Sequence, residues 1–284
     1  GVAWAGPVVR TAIAPCCAGD PHGKQMAESL LLCTTRVSTF QGQQQLTAAS
    51  GFFFERGPAL YLVTSRHVLH EQGTGHLPDR IEFVLHLDAV DLTRTAVVAV
   101  HLYQEGRARW RQASDSGGEI DVAVLLVDRA CLPAGAVFHA FSPAHLLPSL
   151  EQAEIGRRLL VVGFPLGFFD TLHHLPVARH AVIASAFGVR FQGQGYFLTD
   201  SRLHRGASGA PVVARDDSLG AVPWRLLGIH SARREMGNRD AAEDERLGLN
   251  SAWYADILLT LTDTDRTASP QRGGPGTPRR DPQP

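Results

Sequence analysis

From residue 29 onward the chain alternates short apolar runs, each about one strand long, with clusters of Gly, Pro, Asp and other polar residues. Apolar runs of about four to eight residues bounded by turn-formers read as strands, whereas an amphipathic helix needs apolar positions recurring every three to four residues over roughly ten or more. On that basis strands are expected at 30–34, 51–54, 60–64, 81–87, 96–102, 122–127, 159–163, 181–186, 195–198, 211–213 and 226–231. Strands and helices do not alternate as a parallel α/β sheet requires, so the pattern specifies an all-β fold built as closed barrels or a sandwich. Residues 251–262 are the exception: Trp253, Ile257 and Leu261 share one helical face and Ser251 is placed to cap it, which predicts a short C-terminal helix. Residues 265–284 are rich in Pro, Gly and Arg and read as a disordered tail, and residues 1–25 as a poorly ordered N-terminal extension.

Composition narrows the classes of function. Hydrophobic residues make up 44% and charged residues 19% of the 284, enough apolar content for a sizeable buried core. All-β units run to roughly 200–250 residues, which fits one folded domain over about 26–264. Lys and Arg number 27 against 28 Asp and Glu, a net charge of −1 that argues against nucleic acid as a partner. No apolar run approaches the ~18–20 residues that span a bilayer, so no membrane partner is expected. Cys16, Cys17, Cys33 and Cys131 show neither metal-ligand spacing nor the density of a disulfide scaffold. Cys33 and Cys131 read as buried apolar side chains, and this usage fits a reducing compartment. The cytoplasm is therefore the expected location, with a secreted or periplasmic one as the alternative.

The stretch Gly206-Ala207-Ser208-Gly209-Ala210-Pro211 sets one serine among residues small enough for backbone amides to close around a reacting carbonyl. The same hexapeptide also suits a plain tight turn between strands. A nucleophilic serine needs a base and a third group to orient that base. His67 follows an apolar strand run and Asp121 immediately precedes another, where a carboxylate requires a charged or hydrogen-bonded partner. Each taken alone suits an ordinary structural role, since the chain has thirteen histidines and a strand edge commonly carries Asp. The order His67, Asp121, Ser208 is that of chymotrypsin-like enzymes, while α/β-hydrolases run Ser, Asp, His.

Leu62-Val63-Thr64-Ser65-Arg66-His67-Val68-Leu69, Ile120-Asp121-Val122-Ala123-Val124 and Thr199-Asp200 through Pro211 resemble the three signature blocks of bacterial trypsin-like serine peptidases, the Deg/HtrA branch above all. Val162-Gly163-Phe164-Pro165-Leu166-Gly167 and Leu226-Leu227-Gly228-Ile229-His230-Ser231 are similar to two further blocks of that group. The resemblance implies two six-stranded antiparallel β-barrels, one over about 26–145 and one over about 150–250, with the site between them. It also implies His67, Asp121 and Ser208 as a catalytic triad, the amides of Gly206 and Ser208 as the oxyanion hole, and Ser231 as a hydroxyl that helps hold Asp121. No PDZ-like module follows within this chain. Protein or peptide is the implied substrate, and the chemistry needs neither cofactor nor metal; His173, His174 and His180 lack zinc-ligand spacing.

Specificity departs from trypsin. Trypsins carry an aspartate six residues before the nucleophile, a position occupied here by Arg202. His230 matches the pocket histidine of glutamyl endopeptidases and exfoliative toxins, which implies a subsite for acidic side chains, with Arg202, Arg205 and Arg233 adding positive potential. His230 is equally well placed to be a packing residue. Two alternatives to a peptidase fit the same residues: a trypsin-fold binding module without turnover, and a serine esterase.

Overall fold

The computed structural model describes residues 9–12, 27–149, 153–231 and 247–263. Most of the N-terminal extension, the C-terminal tail, Cys16, Cys17 and Arg233 lie outside the described residues. The first half holds β1 (Val9–Ala12), β2 (Thr34–Gln41), β3 (Gln44–Arg56), β4 (Ala59–Thr64), β5 (Arg80–His86), β6 (Thr95–His101), β7 (Tyr103–Gln104), β8 (Arg107–Ala108), β9 (Trp110–Asp115) and β10 (Gly118–Val127). The second holds β11 (Arg158–Gly163), β12 (Val177–Ile183), β13 (Tyr196–Asp200), β14 (Pro211–Arg215), β15 (Trp224–Ser231) and β16 (Leu249–Tyr254). The described residues also hold the short α-helices α1 (Ser29–Cys33), α2 (Arg66–Leu69) and α3 (Ile257–Leu261).

The second half is the expected six-stranded closed barrel, in the order β11-β12-β13-β16-β15-β14. The first half differs in detail: it is an eight-stranded antiparallel sheet, β1-β6-β5-β2-β3-β4-β10-β9, and strand pairing among the described residues leaves β1 and β9 at its ends. That sheet still curls, because Val98 and Val100 of β6 pack in one core with Leu125 and Val127 of β10 and Trp110 of β9.

Alternation along the central strands explains why they read as unbroken apolar runs. On β3, Phe53 faces the core of the first half while Phe52 and Phe54 face a second core shared with Val162, Val213 and Ile229 of the barrel. Strand β4 repeats the division, Leu60 and Leu62 one way and Tyr61 and Val63 the other, as does β10 with Leu125 and Val124. Strands buried on both faces lose the polar half of the period-two pattern. Each fully buried Val, Leu or Phe contributes about 1.5–3 kcal/mol, so this shared core fixes the two halves against each other.

Strands β1, within the segment read as a poorly ordered extension, β2 and β9 form where no strand was expected, and two of the expected elements take another form. Residues 30–34 are helical up to Cys33, with Leu30 and Cys33, three apart, both turned into the shared core; a run this short has no periodicity that separates helix from strand. Residues 249–254 form β16, and the helix begins only at Ile257. Strand pairing prevails there because β16 bonds β13 on one side and β15 on the other and thereby closes the barrel. Helix α3 then crosses back to the first half, where Arg111 donates to the carbonyls of Leu261 and Asp263. Cys33 is fully buried, but Cys131 is half-exposed, its thiol 3.5 Å from the Asp128 carboxylate.

Candidate active site

His67 and Asp121 meet because of strand register. Ala123 of β10 pairs with Thr64 of β4, so continuing the antiparallel register carries Asp121 to the level where the chain leaves β4 and turns through α2. A bulge assists: between Glu119 and Ala123 β10 advances four residues while β9 retreats only two, from Ser114 to Gln112. Such a bulge re-aims the side chains it carries. Asp121 accepts a hydrogen bond from the His67 backbone amide at 2.9 Å and lies 2.7 Å from His67 Nδ1 through its other oxygen.

The barrel of the second half supplies the next contact. Ser231, the last residue of β15, donates its hydroxyl to Asp121 Oδ2 at 2.6 Å. Burial acts to raise the Asp121 carboxyl, but the His67 charge, the hydrogen bonds from His67 and the Ser231 hydroxyl outweigh it and hold the group below the ordinary carboxylate range. Asp121 is thus an anion at neutral pH, gripped from both halves of the molecule, and an imidazole with its Nδ1 beside such an anion is fixed in orientation with Nε2 left for other work.

Ser208 lies in the connection between β13 and β14, on a turn seated directly against the strand that leads to His67. Gly209, at φ +85°, allows the closest approach: a Cβ there would overlap the Ser50 carbonyl oxygen and the Thr64 hydroxyl and come within 2.9 Å of Thr64 Cα. Gly206, at φ +92°, would place a Cβ 2.5 Å from the Phe164 carbonyl oxygen. No side chain fits at either position, which explains the two glycines flanking Ala207-Ser208. The turn is stitched down by hydrogen bonds from the Ser50 amide to the Ser208 carbonyl at 2.9 Å, from the Gly209 amide to the His230 carbonyl at 2.8 Å, and from the Ser65 hydroxyl to the same carbonyl at 3.3 Å.

Of the other residues expected at the site, His230 is fully buried behind this turn, its amide bonded to the Ala210 carbonyl. Arg202 is exposed, and its carbonyl accepts from Arg179 at 2.9 Å; among the described residues no hydrogen bond or ion pair links its side chain to His67, Asp121 or Ser208. Sequence reasoning missed Ser50, and it marked the loop after β11 only as a block of resemblance, without its contact to the Ser208 turn. Leu166 on that loop donates its amide to the Arg205 carbonyl at 2.5 Å and takes a left-handed conformation, φ +51°, rare for a branched side chain. The signal at Ser50 was legible in principle, since a hydroxyl inside the run Ala48-Ala49-Ser50-Gly51-Phe52 must find partners once buried. Among the described residues no group of three or more His, Cys, Asp or Glu is placed to hold a metal; His173 instead pairs with Asp170 at 2.8 Å.

A closed six-stranded barrel packed on a curled antiparallel sheet, with His67, Asp121 and the Ser208 turn at the junction, is consistent with the chymotrypsin-like class. The family model of the trypsin-like peptidase domain matches residues 49–222, and the chain belongs to that family, for which peptides or proteins are the substrates. Two solved structures are similar in outline. An HtrA-type protease, AlgW, with a tripeptide shares 17% identity over 82% of this chain and 61% of its own, at a TM-score of 0.49. A serine endoprotease from Yersinia pestis shares 15% identity over 82% of this chain and 62% of its own, at a TM-score of 0.49. The chain therefore spans about three-fifths of the length of these two proteins. No curated protein matches the chain.

Proposed function

We propose that this protein is a serine endopeptidase in which residues 26–264 form the catalytic domain and Ser208, His67 and Asp121 act as nucleophile, base and orienting anion. The observation that carries this reading is the Asp121 carboxylate, held by His67 and Ser231 from opposite halves of the fold at 2.7 and 2.6 Å. His67 takes the Ser208 proton as the hydroxyl attacks a peptide carbonyl, Asp121 stabilises the imidazolium, and the amides of Gly206 and Ser208 receive the oxyanion. His67 then protonates the leaving amine and activates water to release the acyl group. A fluorophosphonate probe should label Ser208 in the wild-type protein and fail to label a His67→Ala variant. Equal labelling of both would contradict the role of His67, no labelling of the wild type would leave a binding module as the better reading, and hydrolysis of esters without amides would favour an esterase.

The same reading gives the enzyme a preference for an acidic residue before the cut. Supporting it are the position of His230 next to Ser231 behind the nucleophile turn and the exposed Arg202 and Arg205 flanking that turn. On a peptide library, cleavage should be concentrated after Glu and Asp. Cleavage after small apolar residues with none after Glu would sink the preference while leaving the peptidase assignment intact.

A further inference from the structure

The backbone of the turn from His204 to Ser208 can be accounted for one carbonyl at a time. The His204 carbonyl accepts from the Ala207 amide at 3.2 Å, Arg205 from Leu166 at 2.5 Å, Ala207 from Ala210 at 2.9 Å, and Ser208 from the Ser50 amide at 2.9 Å. The remaining carbonyl, that of Gly206, accepts the Ser50 hydroxyl at 2.8 Å. Ser50 therefore holds the carbonyls on both sides of the Ala207–Ser208 peptide. Its hydroxyl also accepts from the Phe164 amide at 3.0 Å, and its own carbonyl accepts from the Thr64 hydroxyl at 2.8 Å. Ser50 is fully buried, and every polar group it has is spent on the Ser208 turn, on the loop after β11, or on the end of β4 that leads to His67.

In a planar peptide each carbonyl shares its plane with the N–H of the next residue, so Ser50 fixes the planes that carry the Ala207 and Gly209 amides, and the Ala207–Ser208 peptide, which carries the Ser208 amide, is held between those two fixed planes. Amides that stabilise a developing oxyanion work through such prior alignment, with no reorganisation when charge appears. Ser50 lies on β3 of the first half and the turn belongs to the second, so the alignment is imposed across the junction and in register with His67.

We propose that Ser50 is a positioning residue for the oxyanion site: its hydroxyl and amide clamp the Gly206 and Ser208 carbonyls and so fix the peptides on both sides of the one that presents the Ser208 amide to the tetrahedral intermediate. This rests on the reading of Ser208 as nucleophile. Loss of one oxyanion donor costs about 10²–10³ in rate, and loosening its support without removing it should cost less, about 10–100-fold in kcat. The KM of a peptide substrate should stay within about twofold, because ground-state contacts are untouched.

The test compares wild-type protein with Ser50→Ala for peptide hydrolysis and for affinity toward a peptide boronate, whose adduct with serine is tetrahedral and anionic. Ser50→Ala should lose boronate affinity by the same factor as kcat. Gly163→Ala offers a second approach that keeps the serine, since a methyl there would stand 2.5 Å from the Ser50 hydroxyl and displace it; it should reproduce the paired loss if Ser50→Ala does not fold. Wild-type kcat in a folded variant, or a fall in kcat with boronate affinity unchanged, would overturn the role of Ser50. A wild-type protein that neither hydrolyses peptides nor reacts with a fluorophosphonate would instead overturn the reading of Ser208 beneath it.

Discussion

Replacing Gly209 by alanine tests how the nucleophile turn is seated on the first half of the molecule. At φ +85° a side chain is strained by itself, which costs about 1–2 kcal/mol. The added methyl also falls on Ser50 and Thr64, where the Ser50 carbonyl and Thr64 Cα are main chain and cannot swing aside. Forcing a methyl into so close a contact costs typically about 1–3 kcal/mol more. The sum is about 2–5 kcal/mol, equivalent for a domain of this size to a fall of roughly 4–20 °C in melting temperature. Gly42→Ala is the control, because Gly42 has φ +57° but nothing within 4 Å of an added Cβ, so it carries only the strain. Thermal and urea unfolding of the two variants, followed by fluorophosphonate labelling of the folded fraction, separates the effects. Gly209→Ala should be the less stable by at least the steric share and should label poorly, because the methyl pushes Ser208 away from β4 and His67. Equal unfolding midpoints for the two variants, with full labelling of both, would refute the packing argument.

Two further outcomes follow from the electrostatics. Ser231→Ala removes a donor from the buried Asp121 carboxylate, and since hydrogen bonds to a carboxylate favour its charged form, Asp121 should take up a proton at higher pH than in the wild type; a carboxyl titration followed by NMR should show the Asp121 titration moving upward in pH, with kcat/KM down by roughly tenfold at its optimum. An unmoved Asp121 titration would count against the Ser231 contact. His86 is buried with Nε2 2.7 Å from the His173 carbonyl, and burial lowers its pKa from 6.5. The unfolded chain then binds the proton first, so stability is fully present above 6.5 and is lost as pH falls below it. His86→Gln should flatten, without abolishing, the loss of stability between pH 7 and 5 in urea titrations, since burial also lowers His145 and His174.

The parts of this molecule that could be read from sequence are those where one local pattern has one physical meaning. Gly206 and Gly209 mark places where a Cβ has no room, and the apolar runs around Phe52, Val63 and Val124 mark strands buried on both faces. Ambiguity arose where tertiary pairing overrode a local pattern. Trp253 has helical spacing with Ile257 and Ser251 is a capping residue by type, yet the unfilled edges of β13 and β15 hold both in a strand. Strand β2 escaped notice because Thr34, Thr35, Ser38 and Thr39 are polar, although all four are buried between β3 and β5. The partners of Asp121 were legible in kind, since a carboxylate beside an apolar run needs them, but the bulge that aims it depends on β9, a half-polar strand with no apolar signature. For Ser50 only the need for partners was legible, as a hydroxyl inside an apolar run; which partners its hydroxyl and amide take was not, because Phe164, Gly206 and Ser208 lie more than a hundred residues away.

Peptide hydrolysis by Ser208→Ala, compared with wild-type protein at matched folded concentration, tests the central claim most directly. If Ser208 is the nucleophile, turnover falls by a factor on the order of 10⁶ while circular dichroism and melting temperature stay close to wild type. Undiminished hydrolysis by the folded variant would contradict the account.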